Sequence, residues 1–365
     1  MIIPCGIRRG RVEPPASKSD LHRLLIGRFL AGDRECLVSS PDDSDDIAAT
    51  RRCLNALASD DPRPVLDCGE SGSTLRFVKP IAAALGRKPS YVMRGRLAGR
   101  PSIDYETLAP GVFDLPGDVS SQFATGLLFA LPLLGGDSEI RFASPPQSAG
   151  YIEMTLGVLG ECGIEVGRTE QGFRIPGGQR YRLPARKTPE ADWSGAAFWF
   201  AMNRLGSEVE IVGLNLESRQ PDSSVAGLLG GIGGSIDMAQ APDLFPALAA
   251  AAAAAGGTTV FTSVGRLRIK ESNRLRAMAG LLSAAGAETD ETDGTFTVRG
   301  AGAPFAGGFA VSSFGDHRIA MAAAVVASRC ARTIEIDDGA CVSKSYPGFF
   351  EEYARLGAGG SQARV

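Results

Sequence analysis

Lys270, Glu271 and Arg274 stand close together in the stretch from Leu267 to Leu282, and the residues after them fix where they point. Leu275, Met278, Ala279 and Leu282 recur at helical spacing, so the pattern predicts a helix that buries this stripe and starts near Ser272, an N-cap residue type. Two cations beside a helix N-terminus make an anion site, because free backbone N–H groups add to the side-chain charge. Glu271, held near bound anions and away from water, would then be an acid suited to proton transfer. Taken alone, Lys-Glu-Ser-x-Arg fits a solvated charged first turn better than an anion site.

Other clusters shift that balance. Lys18, Ser19 and Arg23 surround a second expected helix start in Pro15–Arg23. Asp67–Arg76 reads as a small-residue turn ahead of a helix, with Gly72 letting backbone close on an anion and Arg76 fixing the loop. Arg94–Pro101 is dense in Arg without interleaved aromatics, which suits a phosphate or carboxylate better than a nucleic acid strand. Ser120, Ser121 and Gln122 precede another helical run, either serine serving as its N-cap. Asp316, His317 and Arg318 precede an Ala-rich helix, and Lys344 follows in Ser343–Phe350.

The elements that must hold these clusters follow one pattern: an apolar helical run, a Gly exit, then a β-rich run. It appears at Arg28–Gly32 before Glu35–Val38, Ala82–Gly86 before Tyr91–Met93, Leu131–Gly136 before Glu139–Phe142, Met202–Gly206 before Val209–Val212 and Ala251–Gly257 before Thr258–Phe261. A last copy without Gly runs Ala324–Ala327 into Thr333–Ile336. An offset series follows the same rule at Gly163, Gly233 and Gly286. These copies predict repeated α/β units with two helices each, splitting three and three. The Pro- and Gly-rich segment Ile175–Pro184 is the expected crossing between lobes, and the tail Gly357–Val365 is expected to fray.

With 365 residues, 44% hydrophobic and 22% charged, the chain has room for two separate cores. Its net charge of −3 gives no general attraction to nucleic acid or acidic membranes, so anions must be bound by local clusters. No apolar run is long enough to span a bilayer, and no charged start leads into a signal-like run, so a cytoplasmic location is expected. Seven Cys without a C-x-x-C pair, and only two His, offer no metal-ligand spacing and are read as reduced thiols, mostly in the core.

From Pro15 to Phe350 these motifs run in one order: P-x-S-K-S-x-x-x-R, G-x-S-G-x-x-x-R, G-R-P, S-S-Q, S-x-x-Y-I-E-M-T, D-x-S-x-A-A-F, D-L-F-P, K-E-S-x-R-L, G-D-H-R-I-A-M and K-S-Y-P-G-F-F. By them the chain resembles the EPSP synthase (3-phosphoshikimate 1-carboxyvinyltransferase) family of enolpyruvyl transferases. The resemblance implies an α/β fold, a two-domain inside-out barrel of six βαβαββ repeats with three per domain. Residues 18–189 would form an inserted domain, and residues 1–17 would join 190–365 in the other. It implies transfer of the enolpyruvyl group of phosphoenolpyruvate to the 5-hydroxyl of 3-phosphoshikimate by addition and elimination, on the route to chorismate and aromatic amino acids.

Carried over by motif, Lys18, Ser19, Arg23, Ser120, Ser121, Gln122, Ser148, Asp243 and Lys270 are implied for 3-phosphoshikimate. Lys18, Gly72, Arg100, Gln122, Arg274, Arg318 and Lys344 are implied for phosphoenolpyruvate. Asp243 and Glu271 are implied for proton transfer, helped by Lys18 and His317, with Glu271 or Lys18 as the acid toward the methylene carbon. The resemblance further implies that the enzyme needs no metal or cofactor, works as a monomer on small molecules without nucleic acid or membrane, and is inhibited by glyphosate. The chain departs from the pattern at Glu70, where many members have Asn, at Arg266, where some have Asn, and at Ala149 and Gly150, where some have a basic residue; it is also shorter. Two rivals are the UDP-N-acetylglucosamine enolpyruvyl transferases and a catalytically silent anion-binding module. The first normally carry a Cys in a mobile loop, and the corresponding region around Arg94–Leu108 has none. A silent binder needs the cations but not both Asp243 and Glu271.

Overall fold

The computed structural model describes residues 1–358 apart from 187 and 303, so most of the tail lies outside the described residues. The chain divides into two compact units, Met1–Ser17 with Ala191–Val365, and Lys18–Glu190. It lays down β1 (Ile2–Ile3) and β2 (Arg9–Val12) in the first unit, builds the second whole, and then returns.

The inserted unit runs α1 (Lys18–Leu30), α2 (Asp45–Ala58), β3 (Val65–Gly69), α3 (Gly72–Ala84), β4 (Ser90–Met93), β5 (Val112–Leu115), α4 (Ser121–Ala130), β6 (Ser138–Phe142), α5 (Ala149–Glu161), β7 (Gly167–Arg168) and β8 (Gly172–Ile175). β3 pairs parallel with β4, and the second sheet has the order β5-β6-β8-β7. Helices α3 and α4 pack on each other closely: a Cβ on Gly126 would sit 2.3 Å from the backbone oxygen of Arg76, so only glycine permits this crossing. The segment Glu35–Val38, expected as a strand, is a helical turn over Glu35–Leu37. Asp33 caps it by accepting from the amides of Glu35 (2.9 Å) and Cys36 (3.4 Å), which turns the chain before a ladder can form.

The other unit continues with α6 (Trp193–Arg204), β9 (Glu208–Ile211), α7 (Val225–Gly230), β10 (Ser235–Asp237), α8 (Phe245–Ala254), β11 (Gly256–Thr262), α9 (Arg274–Ala284), β12 (Glu288–Glu291), β13 (Thr295–Ala301), β14 (Ala310–Val311), α10 (His317–Ala327), β15 (Ile334–Ile336) and α11 (Phe349–Ala358). Its four-stranded sheet, β10-β11-β13-β12, repeats the β5–β8 arrangement: a parallel first pair, then two antiparallel ones. Thus β5–β8 with α4 and α5, and β10–β13 with α8 and α9, are two full βαβαββ units of one topology. β2-α6-β9, β3-α3-β4 and β14-α10-β15 repeat its parallel βαβ part.

The helices form the interior. Every residue of α10 is buried, as are Phe245 to Ala253 of α8, while β11 buries only Thr259 and Phe261 and β13 only Phe296 and Val298, the residues between them being half-buried. That is why α8 is hydrophobic all round rather than striped. The ring of Phe245, at the start of α8, meets Phe261 and Phe296 edge-on at 5.2 and 5.3 Å, which fixes the turn just ahead of it. All seven cysteines are free thiols, six of them buried. Among the described residues no helix is long and apolar enough to cross a membrane, and no group of three or more His, Cys, Asp or Glu could hold a metal ion.

Candidate active site

In the inserted unit the polar groups gather where helices begin. Lys18 opens α1 and pairs with Asp46 of α2 at 2.8 Å. One turn on, Arg23 is buried and its donors go to neutral acceptors: the carbonyl of Ser19 (2.5 Å), Thr155 Oγ1 (2.9 Å) and the carbonyl of Tyr151 (2.9 Å). Burial pushes its guanidinium down to about 10, against the pull of Asp20.

Ser71 caps α3 by accepting from the Thr74 amide, so Gly72 is the first helical residue and is not left-handed. A Cβ there would lie 2.8 Å from a terminal nitrogen of Arg76 and 2.9 Å from one of Arg100. Gly72 therefore leaves room for two guanidinium groups at one helix N-terminus. Arg76 donates to Gln122 Oε1 at 2.6 Å and twice to the Pro101 carbonyl, and Gln122 Nε2 donates to Ser73 at 2.9 Å. Ser120 rather than Ser121 is the N-cap of α4, accepting from the Gln122 amide. Ser148 precedes α5 with a left-handed backbone, φ 59°. Glu70 lies over the backbone of Gly95, where a Cβ would meet its carboxylate at 2.4 Å, and Arg94 grips Asp67 with two bonds of 2.9 and 3.0 Å.

In the other unit Arg274 is the hub. It opens α9 and is 1% exposed. Its three nitrogens each meet a different carboxylate: Asp243 at 2.7 Å, Glu271 at 2.8 Å and Asp316 at 3.0 Å. Asp243 also receives Lys270 at 3.3 Å and Arg318 at 3.2 Å. Burial would raise the Asp243 carboxyl, but Arg318, Lys270 and Arg274 together hold it well below the usual carboxylate range. Burial likewise pushes the Lys270 ammonium down to about 8, with Asp243 opposing.

Arg318 is 3% exposed, and its Nε and one terminal nitrogen have no hydrogen-bond partner among the described residues. Two buried cationic donors of this kind call for an anion. Lys344 reaches the Gly315 carbonyl at 2.8 Å from a turn steadied by Tyr346, whose hydroxyl accepts from Trp199 Nε1 and donates to Glu352. His317 is buried, with Nδ1 3.8 Å from Asp316 Oδ1. Arg266 donates to the Ala239 carbonyl at 2.8 Å.

Helix α9 starts one residue later than the sequence pattern suggests. Asn273 is its cap, while Ser272 donates to Asp316 at 3.0 Å. Asp316 thus ties Ser272 and Arg274 to α10, which it caps through the Arg318 amide at 3.0 Å. Sequence reasoning placed it beside His317 without a role, although its place as an N-cap type ahead of an Ala-rich helix was the available sign. Asp46, the partner of Lys18, was missed, and its sequence surroundings give no pointer to it.

The family model for EPSP synthase (3-phosphoshikimate 1-carboxyvinyltransferase) matches residues 95–236 and 222–353. A 3-phosphoshikimate 1-carboxyvinyltransferase of Clostridium kluyveri is 36% identical over 408 aligned residues, covering 95% of each chain. One from Clostridioides difficile is 34% identical with 95% of each chain covered. The chain belongs to the EPSP synthase family. In fold, it resembles the EPSP synthase of Acinetobacter baumannii (TM-score 0.74, 22% identity, 97% of each chain). It also resembles the enolpyruvyl transferase NikO of Streptomyces tendae (TM-score 0.67, 14% identity, 98% of this chain and 96% of that one).

Proposed function

We propose that this member of the family transfers the enolpyruvyl group of phosphoenolpyruvate to the 5-hydroxyl of 3-phosphoshikimate, releasing phosphate. The observation that carries the reading is the pair of carboxylates, Asp243 and Glu271, on the guanidinium of Arg274 amid Lys270 and Arg318. A module that only holds anions gains nothing from acids competing for its cations; a proton-transfer site needs them.

In this reading Lys18, Ser19, Arg23, Ser120, Ser121, Gln122, Ser148, Asp243 and Lys270 serve 3-phosphoshikimate. Lys18, Gly72, Arg100, Gln122, Arg274, Arg318 and Lys344 serve phosphoenolpyruvate. The incoming carboxylate and phosphate groups compete with Asp243 and Glu271 for Arg274 and Arg318. As these cations turn to the ligands, Asp243 loses the field that keeps it a weak base and can take the proton of the attacking 5-hydroxyl. Glu271 or Lys18 delivers a proton to the methylene carbon, and His317 supports the cluster through Asp316. The resulting cation is attacked by the 5-oxygen, and the tetrahedral adduct then loses phosphate together with one proton of its new methyl group, which returns to the acid that supplied it, leaving the enol ether. We further assign glyphosate as an inhibitor at the phosphoenolpyruvate groups, a monomeric state and a cytoplasmic location.

Incubating the purified protein with both substrates should release phosphate, and omitting either, or replacing 3-phosphoshikimate with UDP-N-acetylglucosamine, should abolish it. Phosphate release with the nucleotide sugar and none with 3-phosphoshikimate would reverse the assignment.

A further inference from the structure

A buried chain of hydroxyl groups crosses three helices of the inserted unit and ends at the cap of α3. His22 Nδ1 lies 2.7 Å from Thr50 Oγ1, Thr50 Oγ1 lies 2.7 Å from Thr74 Oγ1, and Thr74 Oγ1 donates to Ser71 Oγ at 2.8 Å. All four residues are at most 1% exposed. Each hydroxyl has one proton, which sets the direction of the whole chain. With the Thr74 proton on Ser71, Thr74 accepts from Thr50, and Thr50 accepts from an Nδ1–H of His22. The 3.3 Å approach of Thr74 Oγ1 to the Asp46 carbonyl is the weaker competitor for that proton.

We propose that His22 is a positioning residue: through Thr50 and Thr74 it fixes Ser71, and with it the α3 N-terminus where Gly72 admits Arg76 and Arg100. This rests on the assignment of Gly72 and Arg100 to phosphoenolpyruvate. Ser71 is the pivot because its Oγ also accepts from the Thr74 amide at 3.2 Å, closing the first turn of α3. The amide of Ser71 bonds the Cys68 carbonyl of β3, so a shift at Ser71 moves the whole glycine turn. The imidazole is well suited to a fixed donor. Burial, then Lys18 and Arg23 on its own helix, keep it neutral, and Phe77 of α3 meets its ring edge-on at 6.1 Å.

Thr50→Val keeps the volume and removes the link, whereas Thr50→Ser retains it. Thr50→Val should raise the KM for phosphoenolpyruvate about tenfold. The KM for 3-phosphoshikimate should stay within about twofold, and amide hydrogen exchange should quicken across Gly69–Thr74. Thr50→Ser should restore both, and the His22 nitrogen resonances should show the neutral Nδ1–H form. An unchanged phosphoenolpyruvate KM, equal rises in both KM values with a lower melting temperature, or an Nε2–H tautomer would overturn the proposal. If the wild type released no phosphate, the functional reading would fall, and the exchange rates alone would still decide whether the chain fixes the turn.

Discussion

Two arginines of the inserted unit are held differently from the cations of the other unit, although Lys18 there also pairs with a carboxylate, Asp46. In the inserted unit Arg23 and Arg76 are met by carbonyl, hydroxyl and amide oxygens. In the other, Lys270, Arg274 and Arg318 are met by Asp243, Glu271 and Asp316. A guanidinium held by neutral oxygens is oriented but keeps its charge, so it stands ready for an anion. A guanidinium locked to carboxylates must change partners when an anion arrives, and the carboxylate it leaves becomes a base. On the proposed function, the first arrangement serves to hold an anion and the second to hold one and move protons.

The largest test of this contrast is structural. Asp316 is fully buried against Arg274, so Asp316→Asn should cost on the order of 3 kcal/mol of stability. Asp46→Asn should cost less, about 1–2 kcal/mol, because Lys18 and Asp46 keep 14% and 11% of their side-chain surface exposed where Arg274 and Asp316 keep 1% and 0%. Equal shifts in melting temperature would erase the distinction between the units.

Asp243→Asn should lower turnover by on the order of 10² or more while 3-phosphoshikimate still binds. Glu271→Gln should also slow turnover, with more effect on phosphoenolpyruvate chemistry than on 3-phosphoshikimate binding. Steady-state kinetics for each variant would show it, and near-normal turnover would remove that residue from proton transfer.

The pH dependence should come from the same unit. Lys270 is pushed from 10.5 down to about 8, whereas Arg23 is pushed only to about 10. Below about pH 8 Lys270 is charged in both folded and unfolded chains, and its burial penalty is present. Between about 8 and 10.5 only the unfolded chain holds the proton, so this group adds stability as pH rises. Its charge toward a ligand is lost over the same window. Accordingly kcat/KM for 3-phosphoshikimate should fall above about pH 8, and Lys270→Arg should move that limb upward. A profile flat to pH 10 in the wild type would refute it.

The smallest effect is expected at Gly72. Gly72→Ala places a methyl against the ends of Arg76 and Arg100, which are flexible and can yield. The KM for phosphoenolpyruvate should rise several-fold, by roughly 1 kcal/mol of misplaced guanidinium contact, and glyphosate inhibition should weaken more. The KM for 3-phosphoshikimate should stay within about twofold. Because Gly72 is not left-handed, the melting temperature should hardly move; a large drop, with equal loss for both substrates, would reject the assignment.

Local chemistry was enough to determine much of this protein. Gly163, Gly206 and Gly286 end helices with positive φ because no other residue adopts that backbone as cheaply. The stripe Leu275, Met278 and Leu282 is buried as its spacing requires, and Ala279 lies partly buried against the same core. Motif order carried the family. What the sequence could not supply was the pairing of charges. Asp316 and Arg274 are distant in the chain and meet only because α9 and α10 start at one place in the fold. The turn at Glu35–Leu37 and the cap at Asn273 also escaped it, since Asp33 and Ser272 each had a choice of partners. The His22–Thr50–Thr74–Ser71 chain is likewise a product of packing, three helices bringing together hydroxyls that no spacing rule connects. A hydrogen bond or ion pair between remote residues depends on where whole elements dock, and only the tertiary structure decides that.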